Sequence, residues 1–154
     1  MSMNIKYTKK DVAEFSGLDL RKTQFYCDQG VIQFEKAESG RGYKRLYSKA
    51  NLLEAKVAKI LSDHGMTLMA IKAVMAYLNQ PSVNCFEKYT QYLKGRFYIV
   101  LNFNRDTGKL NIEAQIKGGV IKDKDCVLTV ADLEKFSDYW VLNYSSLAAA
   151  IEAY

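Results

Sequence analysis

The amino-acid sequence predicts an α+β protein. Its N-terminal half is mostly helical with a small β-hairpin, and its C-terminal half is a small α+β domain with an antiparallel sheet. Three observations lead there. Between residues 8 and 78 apolar side chains recur at helical spacing, with Thr, Asp or Ser where the stretches begin and Gly where they end. Two short extended runs, "VIQF" at 31–34 and "YKRLY" at 43–47, flank a tip that carries Gly40 and Gly42. Beyond Pro81, the only proline, come the strand-like run Phe97–Phe103 and the alternating Leu110, Ile112, Ala114 and Ile116.

Taken in order, Thr8 precedes the first helix with Asp11 three residues on, close to a capping box. Val12, Ala13 and Phe15 supply the buried side of a helix ending near Phe15. "SGL" at 16–18 makes a tight turn, Asp19 is the next N-cap, and a second helix runs to about Asp28. Gly30 stops it in the position of a left-handed residue. Two short helices joined by a turn containing Gly make a helix-turn-helix, whose second helix lies in the major groove where such motifs bind DNA. Arg21, Lys22, Gln24 and Tyr26 are the surface candidates of that helix, and Lys9 joins them from the first.

The extended runs and their tip then form a wing. Its glycines allow close approach of the backbone to another surface. Arg41, Lys44 and Arg45 offer charge to phosphates, with Tyr43 among them, while Tyr47 is expected to pack against the helices. Ser48 caps a helix with Leu52, Leu53, Val57, Ile60 and Leu61 on one face. Gly65 ends it, Thr67 caps the next, and Leu68, Ile71, Val74, Met75 and Leu78 form that helix's core stripe.

Composition bounds the function. With 49% apolar and 25% charged residues the chain has the balance of a folded soluble protein. No apolar window reaches the length of a membrane span and the first 20 residues lack a signal-peptide core, so a cytoplasmic location is expected. Residues 1–80 hold 13 Lys and Arg against 8 Asp and Glu, whereas residues 81–154 hold nine of each, so the whole excess of five lies in the first half. Such asymmetry suits a polyanion-binding domain over 1–80 joined to a second domain over 81–154. Cys27, Cys85 and Cys126 are far apart and His64 is the only histidine, which gives no metal-ligand or disulfide pattern and no expected cofactor. No Ser-His-Asp or Cys-His set and no phosphate-binding GxxxxGK[ST] loop occurs, so no catalysis is expected.

Four segments in this order resemble the MerR-type transcription regulators: "YTKKDVAEFSG" at 7–17, "LDLRKTQFYCDQGVI" at 18–32, "GYKRLYS" at 42–48 and "DHGMTLMAIKAVM" at 63–75. The resemblance spans about residues 5–78. It implies a winged helix-turn-helix that binds double-stranded DNA as a homodimer on a palindromic site, in many members distorting a promoter for RNA polymerase. Residue by residue, it implies DNA contacts from Arg21 and Tyr26 on the recognition helix and from Arg45 on the wing. Three positions depart from the family pattern. Gln24 stands where arginine is common, Thr23 where a buried leucine is, and Cys27 where glutamate is. Glutamine can still pair with an adenine edge. The departures at Thr23 and Gln24, with an atypical second half, leave room for an architectural DNA-binding protein (a phage or plasmid excision, packaging or segregation factor), and a protein-interaction module is a third reading.

In the family a long helix normally follows and pairs with its partner. Here a short helix over 83–94 is expected, with Phe86, Tyr89 and Leu93 on one side. Next come a hairpin through "NRDTG", a third strand at "CVLTV", a fourth at "YWVLN", and helices over 132–138 and 145–153, the last capped by Ser145. Eleven of the nineteen aromatics follow residue 80. They suit an apolar ligand site, a dimer interface or simply a small core, and the sequence leaves these alternatives open.

Overall fold

A computed structural model describes residues 6–37, 42–93, 97–103, 117–122 and 138–154. The chain divides into two compact units, Met1–Met75 with Tyr154 and Ala76–Ala153.

In the first unit, helix α1 (Lys9–Ser16) starts at a capping box: Thr8 N–H donates to Asp11 Oδ2 at 2.7 Å while Asp11 N–H donates to Thr8 Oγ1 at 3.4 Å. The helix ends on Gly17, whose φ of 82° lies in the left-handed region that a side chain disfavours. Helix α2 (Leu20–Asp28) opens on Asp19, whose carboxylate accepts from Lys22 N–H at 2.6 Å. It closes in a Schellman motif, with Val31 N–H on Tyr26 O at 2.9 Å, Gly30 N–H on Cys27 O at 3.1 Å, and Gly30 at φ 73°. The helix-turn-helix expected from the sequence is therefore present, with α1 one residue longer.

The wing is a two-stranded antiparallel hairpin of β1 (Glu35–Lys36) and β2 (Arg45–Leu46), pairing Glu35 with Leu46 and Lys36 with Arg45. "VIQF" is not its first strand. Val31 and Ile32 are buried in the turn that leaves α2, and pairing begins only past Phe34. Tyr47 continues the wing into the body, exchanging backbone bonds with Tyr7 at 2.8 and 3.0 Å. Helix α3 (Lys49–Asp63) begins at a second capping box, between Ser48 and Asn51, and α4 (Leu68–Leu78) begins where Thr67 Oγ1 accepts from Ala70 N–H at 3.2 Å. Val12 of α1, Tyr26 and Cys27 of α2, and Leu52, Leu53, Val57 and Leu61 of α3 form the core, with Ile71 and Val74 of α4 also buried. The side chain of buried Glu54 accepts from Gln33 N–H at 2.8 Å and Asn51 Nδ2 at 3.2 Å, so this polar group of α3 is buried with partners.

Over the described residues 83–93 the second unit has no α-helix, where the sequence suggests one over 83–94. That stretch is a series of turns leading into a 3-10 helix, Tyr89–Tyr92. Asn84, at φ 39°, reverses the chain, so that Asn84 N–H and Cys85 N–H reach back to Gln80 O at 2.6 Å and Leu78 O at 3.2 Å. Asparagine tolerates this backbone region better than most residues. The sheet has the order β4-β3-β5, with β3 (Phe97–Phe103) antiparallel to both β4 (Lys117–Lys122) and β5 (Asp138–Asn143). Val100 sits opposite Gly119 on one side and Val141 on the other. Helix α5 (Tyr144–Ala153) follows β5 directly, starting one residue before the expected cap Ser145. Phe86 and Tyr144 are buried edge to face, centroids 6.5 Å apart, and Tyr144 Oη donates to Cys85 O at 2.6 Å. The expected strands at 110–116 and 126–130, the "NRDTG" loop and residues 132–137 of the expected helix lie outside the described residues. The α+β class is as the sequence predicts: a helical, winged N-terminal half and an antiparallel sheet beyond it.

Candidate nucleic-acid interface

Helix α2 presents two kinds of face. Thr23, Tyr26 and Cys27 are buried, while Leu20, Arg21, Lys22, Phe25 and Asp28 are exposed. Thr23 is fully buried and satisfies its hydroxyl locally, donating to Asp19 O at 2.8 Å one turn back. Tyr26 is only 2% exposed, so the structure corrects its expected place on the surface. It lies three residues after Thr23, on the same face of the helix, and its burial follows from that period.

A line of polar contacts ties α1, α2 and the wing together. Lys9 Nζ donates to Gln24 Oε1 at 3.4 Å. Gln24 Nε2 donates in turn to both Asp28 oxygens, at 2.9 and 3.1 Å. Arg45 Nη2 reaches the same carboxylate, donating to Asp28 Oδ1 at 2.7 Å from β2. The Arg45 guanidinium also lies over the Phe34 ring, 4.3 Å from its centre, and its side chain is 19% exposed. Its Nη1 is enclosed, with no hydrogen-bond partner of good geometry among the described residues. Burial disfavours the Arg45 charge, but hydrogen bonds to Asp28 and Tyr43 outweigh burial and leave its pKa above the ordinary value. The same bond from Arg45, then that from Gln24, holds the Asp28 carboxyl below the usual range. Arg45 is thus a rivet between wing and α2, with its charge already matched, rather than a free cation.

Beneath it, Cys27 Sγ lies 3.4 Å from Tyr47 Oη. Burial pushes the Cys27 thiol up, partly offset by Tyr47 and Arg45. Burial, followed by the contact with Cys27, raises the Tyr47 hydroxyl. Both groups are neutral at physiological pH.

These elements frame a concavity of about 510 Å³ between the start of α1, the N-terminal half of α2 and the returning strand of the wing. Lys9, Lys10, Lys44 and Arg45 line it with Gln24, Leu20 and Tyr43. Among the described residues Lys10 makes a 4.0 Å pair with Glu14, and Lys44 is exposed with no ion pair. Lys36 Nζ sits 4.4 Å from the Tyr43 ring centre, on the wing.

Of the residues singled out from sequence, Lys9, Gln24, Tyr43, Lys44 and Arg45 therefore converge on one cationic cleft. Arg21 is exposed on α2 and does not line it. Lys22 turns away, donating to Ser62 Oγ at 3.0 Å across to α3 with its Nζ 5.6 Å from the Tyr26 ring centre. Arg41 lies outside the described residues. Sequence reasoning missed Lys10, Leu20, Phe25 and Asp28. The spacing of Leu20, Gln24 and Asp28, each four residues from the next, was the available signal that the three share one face. Among the described residues no cluster of His, Cys, Asp and Glu has the makings of a metal site, and no helix is long and apolar enough to cross a membrane.

No curated protein matches the chain. Residues 7–78 match the model of the MerR HTH family of regulatory proteins, so this region is similar to the helix-turn-helix of that family of DNA-binding regulators.

Proposed function

We propose that this protein regulates transcription by laying α2 in the major groove of double-stranded DNA while the wing rests on the adjacent phosphate backbone, as a homodimer on a palindromic site. The observation that carries the reading is the cationic cleft between wing and recognition helix, open to solvent and lined by Lys9, Lys10 and Lys44. A duplex brings a line of phosphates that would take up those charges, and the exposed Arg21 lies on the helix beside them. Residues 1–80 act as the DNA-binding domain and residues 81–154 as the domain that assembles the dimer or senses an effector. At a promoter, RNA polymerase is the further partner.

The test is selection of a preferred duplex from random DNA, followed by titration of the selected and scrambled sequences. A preference of about tenfold or more supports an operator-reading regulator. The same titration on residues 1–80 alone, showing a large loss of affinity, supports dimer assembly by the second domain. A second reading, an architectural DNA binder, draws on one observation: Gln24, the side chain best suited to reading adenine, is engaged by Lys9 and Asp28. Cooperative coating without a preferred sequence favours it. Unchanged duplex binding in both Arg21→Ala and Lys44→Ala would instead favour a protein-interaction module.

A further inference from the structure

Five large hydrophobic side chains are exposed among the described residues: Leu20, Phe25, Tyr43, Met69 and Tyr154. Two of them, Leu20 at 50% and Phe25 at 44%, lie on the nine-residue helix α2. Scattered exposed apolar residues are ordinary on a protein surface. This pair differs in its setting. The buried face of α2 is Thr23, Tyr26 and Cys27, and about half of Leu20 and of Phe25 stands outside it, the Phe25 ring 5.9 Å from that of Tyr26. At about 100° per residue, Arg21 falls between Leu20 and Phe25 around the helix. Leu20 also lines the cleft with Lys9 and Lys10. The apolar surface is therefore presented next to cations, on the helix whose outward face would enter the major groove.

A phenyl ring and an isobutyl group cannot bond to phosphate or to base-edge donors and acceptors. The apolar feature that a duplex offers in the major groove is the C5-methyl group of thymine. We infer that Leu20 and Phe25 are specificity-determining residues that read thymine methyl groups, on either side of Arg21. This rests on the proposed DNA binding by α2 and adds what its sequence preference consists of. It also supplies a source of selectivity where Gln24 is engaged within the protein and Arg45 is matched by Asp28.

The test uses the full chain and its selected operator. Each thymine is replaced in turn by deoxyuridine, which pairs identically and lacks only the methyl. Wild type should lose about three- to fourfold in affinity at one or two positions per half-site, the scale for one methyl-sized apolar contact. The loss at a given position should vanish in Leu20→Ala or Phe25→Ala, persist in Phe25→Leu, and persist in Lys44→Ala. Both side chains are exposed, so the variants should melt like wild type. Tight operator binding with no deoxyuridine effect above twofold overturns the inference alone, as does an effect that survives in both alanine variants. A selection that yields no preferred sequence overturns it together with operator reading. Absence of any duplex binding by wild type overturns the DNA-binding proposal itself.

Discussion

Lys44 and Arg45 are adjacent cations on the same strand of the wing, yet they should respond differently to mutation. Lys44 is exposed and faces the cleft without an ion pair among the described residues, whereas Arg45 gives its charge to Asp28 at 2.7 Å and is largely enclosed. A side chain that neutralises a phosphate adds about 0.9 to the slope of log affinity against log salt. Between roughly 50 and 200 mM salt, one such contact is worth about 3.5-fold per protomer. Lys44→Ala should lower the slope by about that one unit per protomer. Arg45→Ala should leave the slope close to wild type and still weaken binding at every salt concentration. It removes the tie from β2 to α2 and leaves the Asp28 carboxylate with Gln24 alone beside the proposed phosphate path. Fluorescence anisotropy with a labelled duplex at four or five salt concentrations gives both slopes. Equal reductions in slope for the two variants would show Arg45 to be a phosphate contact and refute the division of labour argued here. An unchanged slope for Lys44→Ala would refute the placement of the phosphates in the cleft.

Three further outcomes follow from local geometry. Gly30→Ala places a methyl in open space but at φ 73°, so its cost is backbone strain of about 1–2 kcal/mol, read as a fall in thermal midpoint that Gly30→Asn partly restores. The buried Cys27 and Tyr47 both have pKa values raised above their ordinary 9.0 and 10.0, so the folded state holds these protons more tightly than the unfolded chain. Their contribution is complete below about pH 9 and is lost as pH rises past the unfolded values, and the double variant Cys27→Ala with Tyr47→Phe should flatten the decline in thermal midpoint between pH 8 and 11. In the second unit, Tyr144→Phe removes the buried 2.6 Å bond to Cys85 O and should destabilise by about 1–3 kcal/mol in urea unfolding.

Much of the first unit was legible because its signals are local. A capping box, an N-cap aspartate and a Schellman glycine each act within a few residues, so Thr8, Asp19 and Gly30 mark their helix ends wherever the rest of the chain goes. The wing was legible as a hairpin but not in register, because its strands are two residues long and their pairing is fixed by the burial of Val31, Ile32 and Tyr47 against the helices. The same limit explains the expected helix over 83–94. Its aromatic spacing suits a helix, but the reversal at Asn84 that sends Cys85 back to Leu78 is a tertiary decision. In the site, charge alone identified Lys9, Lys44 and Arg45. It could not separate a displayed cation from a matched one, since the partner of Arg45 lies 17 residues away on another element.

That partner also gives the departures from the family pattern one physical account. Position 27 is buried, with its side chain against Tyr47, and a cysteine there is neutral. The carboxylate stands one residue later, on the exposed side of α2, where it meets Arg45 from the wing and Gln24 from its own helix. A cation at position 24 would compete with Arg45 for Asp28 and would crowd Lys9. A neutral glutamine instead offers an acceptor to Lys9 and a donor to Asp28, and joins the two. Gln24→Arg should therefore not restore a family-like interface by itself. The added charge raises non-specific affinity and steepens its salt dependence, while competition for Asp28 loosens Arg45 and with it the wing. Paired with Cys27→Glu, which supplies a second carboxylate beneath Arg45, the same substitution should recover the wing's order. Hydrogen exchange at the β1–β2 amides reads the difference: faster exchange in Gln24→Arg, slower again in the pair. Equal exchange in wild type and Gln24→Arg would mean that the wing is held by Phe34, Tyr43 and Tyr47 without help from Asp28, and the account of Gln24 would fall with it.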